Sequence, residues 1–471
     1  MRTECNGERM GFQGAFGRVV QADFKGGHMS SEGGALLLRE VDLRVDVTRR
    51  FAECFRDHRD ADLIEHTVLE LVRQRAYGLA LGYEDLNDHD DLARDPLLAM
   101  ALGKRDPEGT DRKRERDRGR PLASSKTLNR LELTPEEIDA GNRYWKIVHD
   151  AKEIEALLVT FYLESQATPP AEVILDFDAT DDPLHGEQEG RFFHGYYGQY
   201  CYLPLYVFAG EHLLVAKLRT SNRDAADGST EVLAELVERM RERWPDTRIV
   251  VRADSGFARD ELMGWCEEHG VYYVLGLARN VRLSKKIGVE LALAKERCDK
   301  TGVASRVFAH FHYRTRKSWR RVRRVIAKAE YLAKGPNPRF IVTNLPEEYA
   351  APRILYEKIY CHRGEMENRI KEQQLDLFAD RTSTSKMRSN QLRLWFSSLA
   401  CVLVSALRRV ALPATRMAKA TCGSIRLRLL KIGARIKMSV RRFVVHLAGA
   451  CPYQDVFVQA WHALRAYPLR C

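Results

Sequence analysis

Apolar residues recur at two different periods along this chain, and the change of period divides it. From Gly33 to Leu102, in ALLLREVD and then DADLIEHTVLELVRQRAYGLALGY, they fall three and four positions apart, the spacing of helices that bury one face. Asp60 or Asp62 is the expected N-cap of the longer helix and Gly82 its expected stop. The segment KRDPEGTDRKRERDRGRP is charged and interrupted by Pro107, Gly109, Gly119 and Pro121, the pattern of a solvated loop that can also touch phosphates. LASSKTLNRLE after it predicts a short helix with a polar cap, with no clear helix-turn-helix pattern around it. Residues 1 to 30 are rich in glycine and weakly patterned, which predicts a loose arm.

At Pro169–Pro170 the texture changes to short β-branched and aromatic runs. EVILDFD, Glu172 to Asp178, predicts a strand ending in acids. Tyr200 to Phe208 and His212 to Leu218 predict a hairpin turning at Ala209-Gly210-Glu211. Then come a helix over Glu231–Trp244, a strand over Arg248–Ala253, a helix over Arg259–His269 and a strand over Val271–Leu277. Three antiparallel strands followed by helix, strand, helix, strand make a mixed α/β sheet with crossovers. Residues 282 to 345 hold the strand-like runs RVFAHFHY, RRVIAKAEYL and RFIVTNL around the basic patch RTRKSWRRVRR, which predicts an antiparallel insertion. Two helices follow, one carrying Glu367 and one over Asn390–Leu407. No acid lies between Arg408 and Arg442, where IRLRLLKIGARIKMSVRRFVV predicts an amphipathic helix with a cationic face.

Composition narrows the classes. With 471 residues the chain exceeds one hydrophobic core, and 45% hydrophobic with 30% charged residues describes a globular protein. The net charge of +11 favours a polyanionic partner. Ten scattered cysteines without a CxxC pair indicate neither a zinc site nor a disulfide framework, and reduced thiols in the cytoplasm fit them best. The N-terminus has no apolar signal core, and the most apolar run, Leu394 to Leu407, reads as too short to span a bilayer. No membrane is expected, and no partner protein of another kind is evident.

The chemistry gathers on acids and on the stretch YEKIYCHRGEMENRIKEQQ. At helical spacing Tyr356, Tyr360, Arg363, Glu367, Lys371 and Gln374 share a face on which a carboxylate sits between cations and phenols. Ordinary i,i+4 ion pairs would give the same pattern, so the case rests on two further acids at strand ends. Asp178 closes DFDAT and Asp254 follows the strand in VRADSGF. Side chains at strand ends of a mixed sheet collect at one edge, and a helix across that edge can add a third acid. Three converging carboxylates repel unless cations neutralise them, the setting for two Mg²⁺ ions that clamp the oxygens of an in-line phosphoryl displacement. Asp176 competes with Asp178 from the same strand face, Asp181 and Asp182 read as turn formers before Pro183, and Glu365 lies about 200° around the helix from Glu367. His185, His194 and His362 are read as structural or DNA-contacting.

DFDAT, RADSGF and YCHRGEMENRIKE together resemble the DDE transposases of bacterial insertion sequences, in particular the group with a Tyr-x2-Arg-x3-Glu-x6-Lys signature. The match gives Tyr360, Arg363 and Glu367. The signature's Lys position holds Gln374, a departure, and Lys371 is the candidate phosphate contact instead. The resemblance implies an α/β fold: an RNase H-like mixed-sheet catalytic core interrupted by a β-rich insertion, with a helical N-terminal domain and a basic helical C-terminal segment. The expected boundaries are an arm over 1–30, a helical DNA-binding domain over 31–165, core over 166–280, insertion over 281–346, core again over 347–410, and a basic region over 411–471. It further implies Asp178, Asp254 and Glu367 as catalytic metal ligands for two Mg²⁺, with Mn²⁺ as a substitute, and Tyr360, Arg363, Lys371, Trp319, Arg320 and Arg321 as DNA contacts. Trp319 is the candidate to stack on a flipped base, against the alternative that it is a core residue of the insertion. The expected partners are double-stranded DNA, both element ends and target, and a second copy of the chain; the expected place is the bacterial cytoplasm, on the nucleoid. Two rivals stand beside this reading: a cellular RNase H-like nuclease or resolvase, and a catalytically silent DNA-binding protein.

Overall fold

The computed structural model describes residues 9–138 and 141–469. The chain divides into two compact units, Met1–Val148 with Leu403–Cys471, and His149–Val402.

The second unit is built on a mixed sheet. Among the described residues its strands run in the order His212–Lys217, Leu205–Ala209, Glu172–Ala179, Arg248–Ala253, Tyr272–Leu277, Arg339–Thr343, Arg323–Leu332, Ser305–Tyr313, with the two-residue strand Gly335–Pro336 beside Arg323–Leu332. Glu172–Ala179, Arg248–Ala253 and Tyr272–Leu277 are mutually parallel; the flanking strands are antiparallel. Alternation along the central strands assigns their faces. Val173, Leu175, Phe177, Ile249 and Val251 pack with helices Ala151–Ser165, Ser229–Arg243 and Asp260–Glu268. The residues between them face the other way, where Val250, Ile174 and Val274 meet Leu355 and Tyr356, and Tyr206 and Phe208 meet Met366 and Ile370. The Glu367 segment therefore covers the sheet face that carries the odd-man-out polar positions of DFD and VRAD.

Several expectations need correction here. Tyr200–Phe208 is not one strand: Leu203-Pro204 breaks it, since proline has no N–H for a ladder, and Gln199–Tyr202 joins a small separate sheet with Asp182–Pro183 and Phe192–His194. Residues 281–301 are helical, Val281–Lys286 and Gly288–Thr301. The three runs after them are strands as expected, but Arg339–Thr343 pairs directly with Tyr272–Leu277, so they extend the main sheet instead of forming one of their own. The helix around Asn390 runs over Met387–Ala411, and its 25 residues are long and apolar enough to cross a membrane by length and composition. With 83% of its most apolar window buried in the fold, it is packed as a core helix.

The first unit is helical at its centre, with Ala35–Val45, Val47–Glu53, Val68–Leu81 and Pro96–Leu102. Gly82 does stop the Val68–Leu81 helix, with φ 96°. Its N-cap is Thr67 in a capping box with Glu70; Asp60 caps a short turn at Ala61–Leu63 instead. The described part of the expected loose arm is ordered into a hairpin, Met10–Ala15 with Arg18–Ala22, turning at Phe16-Gly17 with φ 50° and 76°. The expected C-terminal amphipathic helix holds only at its start. Cys422–Ile425 continues as a wider π-turn over Arg426–Leu430, and the rest is a hairpin in which Ala434–Ser439 pairs with Arg442–Leu447 and with His28–Ser30. ARIKMS alternates with period two, burying Ala434 and Ile436 and exposing Arg435 and Lys437, so its basic face is a strand face. The N-terminal and C-terminal segments thus share one unit, while Ala151–Ser165 belongs to the unit of the sheet.

Candidate active site

Strand register brings the first two acids together. In the parallel pair, Asp176 is opposite Arg252 and Phe177 opposite Ala253. One residue further, Asp178 and Asp254 lie at the carboxyl ends of adjacent strands, on the face that the Glu367 segment covers. Asp254 leaves the ladder to start a tight turn, Ser255–Phe257, and its Oδ1 accepts from the Gly256 N–H at 2.8 Å. A Cβ on Gly256 would sit 2.9 Å from that oxygen, which explains a glycine in DSG. Asp178 Oδ1 accepts from the Ala179 N–H at 3.1 Å.

Asp176 is removed from the competition by its partner. Arg252 binds it through two nitrogens at 2.5 and 2.7 Å, with both side chains buried. Arg252 also donates to the Ile359 carbonyl at 2.5 Å, tying the strand to the chain that leads into the Glu367 helix, Gly364–Lys371. That helix lies between two wider π-turns, Leu355–Tyr360 and Glu372–Asp376.

Arg363 joins the three acids electrostatically. Its Nη2 is 2.5 Å from Glu367 Oε1. Burial alone would lower the pKa of its guanidinium, but the charges of Glu367, Asp178, Tyr360 and Asp254 outweigh it and raise the value. Asp178 reports the same crowding: burial first pushes its carboxyl up, Arg363 pulls it down, and Asp254 and Glu367 push it up again, to about 7. Burial and the nearby Asp254 also raise the Tyr360 phenol, against the pull of Arg363. Room for that phenol comes from Gly276, where a Cβ would fall 2.6 Å from Tyr360 Oη and 2.8 Å from the Ser255 nitrogen. Arg252 and Gly276 escaped the sequence reading, although a glycine inside the apolar strand VLGL is a sign of close approach.

As placed, no three His, Cys, Asp or Glu side chains among the described residues close into a metal cage. The donor set nonetheless suits a hard divalent cation. All donors are carboxylate oxygens, and the strained ionisation of Asp178 is what a nearby dication relieves.

The other expected residues divide. Lys371 is exposed, and Gln374 at the signature's Lys position donates to the Asp181 carbonyl at 3.2 Å. Glu365 and His362 are exposed. Trp319 is corrected: at 6% exposure it packs edge-on against Tyr313, ring centroids 5.9 Å apart, with the Arg323 guanidinium 5.5 Å from its ring, and presents no face for a base. Arg321 is held by Glu267 and Glu268 at 3.3 and 3.0 Å; Arg320 is exposed, 3.7 Å from Asp260. Asp182 is no ordinary turn former. It is 1% exposed, neither carboxyl oxygen has a hydrogen-bond partner among the described residues, and burial with the charges of Asp380 and Asp181 drives its pKa well above the carboxylate range.

Comparison with known proteins bears on what this arrangement is for. A solved structure, a cryo-EM structure of the piggyBac transposase synaptic complex with hairpin DNA, aligns with 84% of this chain and 79% of its own at 11% identity and a TM-score of 0.41. No curated protein matches the chain. A family model described as "Transposase DDE domain group 1" matches residues 12–469, nearly the whole length. The chain belongs to that transposase DDE family.

Proposed function

We propose that this chain is a DDE transposase of the Tyr-x2-Arg-x3-Glu-x6-Lys group, with the mixed sheet serving as an RNase H-like catalytic core. It binds the terminal inverted repeats of a bacterial insertion sequence, cleaves DNA at the ends and joins the freed 3′-OH ends to target DNA. The observation that carries this reading is the meeting of Asp178 and Asp254, at the ends of adjacent parallel strands, with the Arg363–Glu367 pair on the segment covering that face.

Asp178, Asp254 and Glu367 would hold two Mg²⁺ ions, or Mn²⁺ in their place. Bound ions of this kind supply Lewis acidity to the phosphate and lower the pKa of the attacking water or 3′-OH. The chain's own residues do the rest. Arg363 offsets the three carboxylates and presents N–H donors to a non-bridging phosphate oxygen. Tyr360, seated over Gly276, fixes Arg363 from the side. Lys371 and Arg320, both exposed, contact phosphates further along the duplex. Two ends must be joined in concert, so the working form is a homodimer on DNA, acting in the bacterial cytoplasm.

The test is cleavage and joining on DNA carrying the ends that flank this gene, with Mg²⁺, for wild type and Glu367→Gln. Cut and joined products in wild type and neither in the variant support the proposal. Cutting without joining identifies a nuclease, and binding without cutting a silent DNA-binding protein.

A further inference from the structure

Every residue from Arg9 to Met29 is exposed. Within this stretch Met10–Ala15 and Arg18–Ala22 pair with each other as a two-stranded sheet of their own. A lone hairpin of two strands is marginal in water, and stable ones rest on a further strand or on a helix. Among the described residues this hairpin rests on neither. Its register sorts the side chains by face. Met10 lies opposite Ala22 and Phe12 opposite Val20, so these four share one apolar side. Gly11 and Gln21, opposite each other, share the other side with Val19. Phe12 is 57% exposed, Phe16 at the turn fully, and Phe24 just past the second strand 91%.

Charge and area decide what fits this face. Arg18 is the only charged residue between Met10 and Ala22, and Arg9 and Asp23 at the base of the hairpin lie 3.9 Å apart, so a phosphate backbone finds little to hold. At roughly 200 Å² per ring, the three phenylalanines leave about 500 Å² open on each chain, and Met10 and Val20 add to it. That is most of the roughly 800 Å² per partner of a standard interface. An uncharged apolar face needs no second kind of surface, since a twofold axis brings it onto its own copy. The register shift between Phe12 and Ala15 disturbs the strand edges, so stacked faces fit better than paired edges.

We propose that the face formed by Met10, Phe12, Val20 and Ala22 packs against the same face of a second copy of the chain, making a dimer that forms without DNA. The arm joins its unit through Gly27, at φ 78°, and through His28–Ser30, which pairs with Ala434–Ser439. The contact gives the homodimer of the transposase reading a surface, but it does not depend on that reading.

Light scattering of the full-length protein at micromolar concentration, without DNA, should give a dimer. Phe12→Glu and Phe12→Lys should each weaken it about tenfold or more, because a charge would be buried in an apolar contact. An equimolar mixture of the two should restore it, since opposite charges then meet across the twofold. Gln21→Glu, on the other side, should leave it within about twofold. Phe12 is exposed in the single chain, so circular dichroism of its variants should match wild type. Val20→Glu with Val20→Lys repeats the exchange if a Phe12 variant misfolds. A wild type that is monomeric without DNA, Phe12 variants that stay dimeric, or a mixture that stays monomeric overturns the proposal. So does a Phe12→Glu protein that remains dimeric and loses affinity for duplex DNA of the element ends, which makes DNA the occupant. Cleavage by wild type on those ends is read separately. A monomer that cuts sinks this inference alone, and a dimer that neither binds nor cuts DNA sinks the transposase reading and leaves this one standing.

Discussion

Arg252 and Asp176 face each other across two parallel strands, one pleat before Asp254 and Asp178, and share a buried two-point ion pair. The same Arg252 reaches the Ile359 carbonyl, so one side chain links both acid-bearing strand ends to the chain before Glu367. Arg252→Met should cost about 3–5 kcal/mol, because it leaves Asp176 buried without a counter-charge. Adding Asp176→Leu should recover most of that loss. Urea unfolding of the two variants checks both, and an Arg252→Met protein as stable as wild type would contradict the pairing.

Gly276 gives a second, steric prediction. A methyl there meets Tyr360 Oη and the backbone of Asp254 and Ser255 at 2.6–3.0 Å, and backbone cannot step aside. Gly276→Ala should destabilise by about 1–3 kcal/mol and slow cleavage by moving Asp254. Gly264, in the Asp260–Glu268 helix with nothing within 4 Å, is the control: Gly264→Ala should stabilise by about 0.5–1 kcal/mol and leave cleavage alone. Thermal melts and cleavage rates of the pair make the comparison.

How far the sequence reads toward this site follows from period and locality. Apolar runs such as EVILDFD and RIVVRA declare strands, and their last acids are legible because strand ends are local features. The choice of Asp178 over Asp176 depends on Arg252, 76 positions away in the chain, which no local pattern reports. Trp319 sits among arginines and reads as well for a stacking residue as for a core one; Arg323 packs on its ring while bonding Asp260 and Glu267, so the basic run is partly a neutralised, folded one. In the C-terminal segment, cations every second residue fit a strand as well as a helix face. Pairing with Arg442–Leu447 and with His28–Ser30 decides between them.

Trp319→Ala should therefore behave as a core truncation. Its cost is about 3–5 kcal/mol of stability, with DNA affinity per folded molecule unchanged. Denaturant midpoints and binding measured well below the variant's melting temperature separate the two effects. A selective loss of DNA affinity at near-native stability would restore Trp319 as a DNA contact.

Asp182 carries a pH prediction. Its folded pKa is raised, so its contribution to stability is fully present below the unfolded value near 4 and is lost as pH rises above it. Asp182→Asn removes that pH-dependent loss. The variant should gain on wild type progressively from pH 4 upward, reaching about 1–3 kcal/mol of relative stability near pH 8. Melting temperatures of both proteins across this range test it; a constant difference, or one that shrinks with rising pH, would contradict the burial of an unpartnered carboxyl.

The central claim is that Asp178, Asp254 and Glu367 act as one unit. The most direct measurement is the Mg²⁺-dependent cleavage rate of Asp178→Asn, Asp254→Asn and Glu367→Gln, singly and in pairs, beside Glu365→Gln. If they share the ions, each single change should cost about 10³-fold or more, the pairs should be no worse than the singles, and Glu365→Gln should cut like wild type. Near-wild-type cleavage by any of the three, or a loss in Glu365→Gln to match, would contradict the assignment.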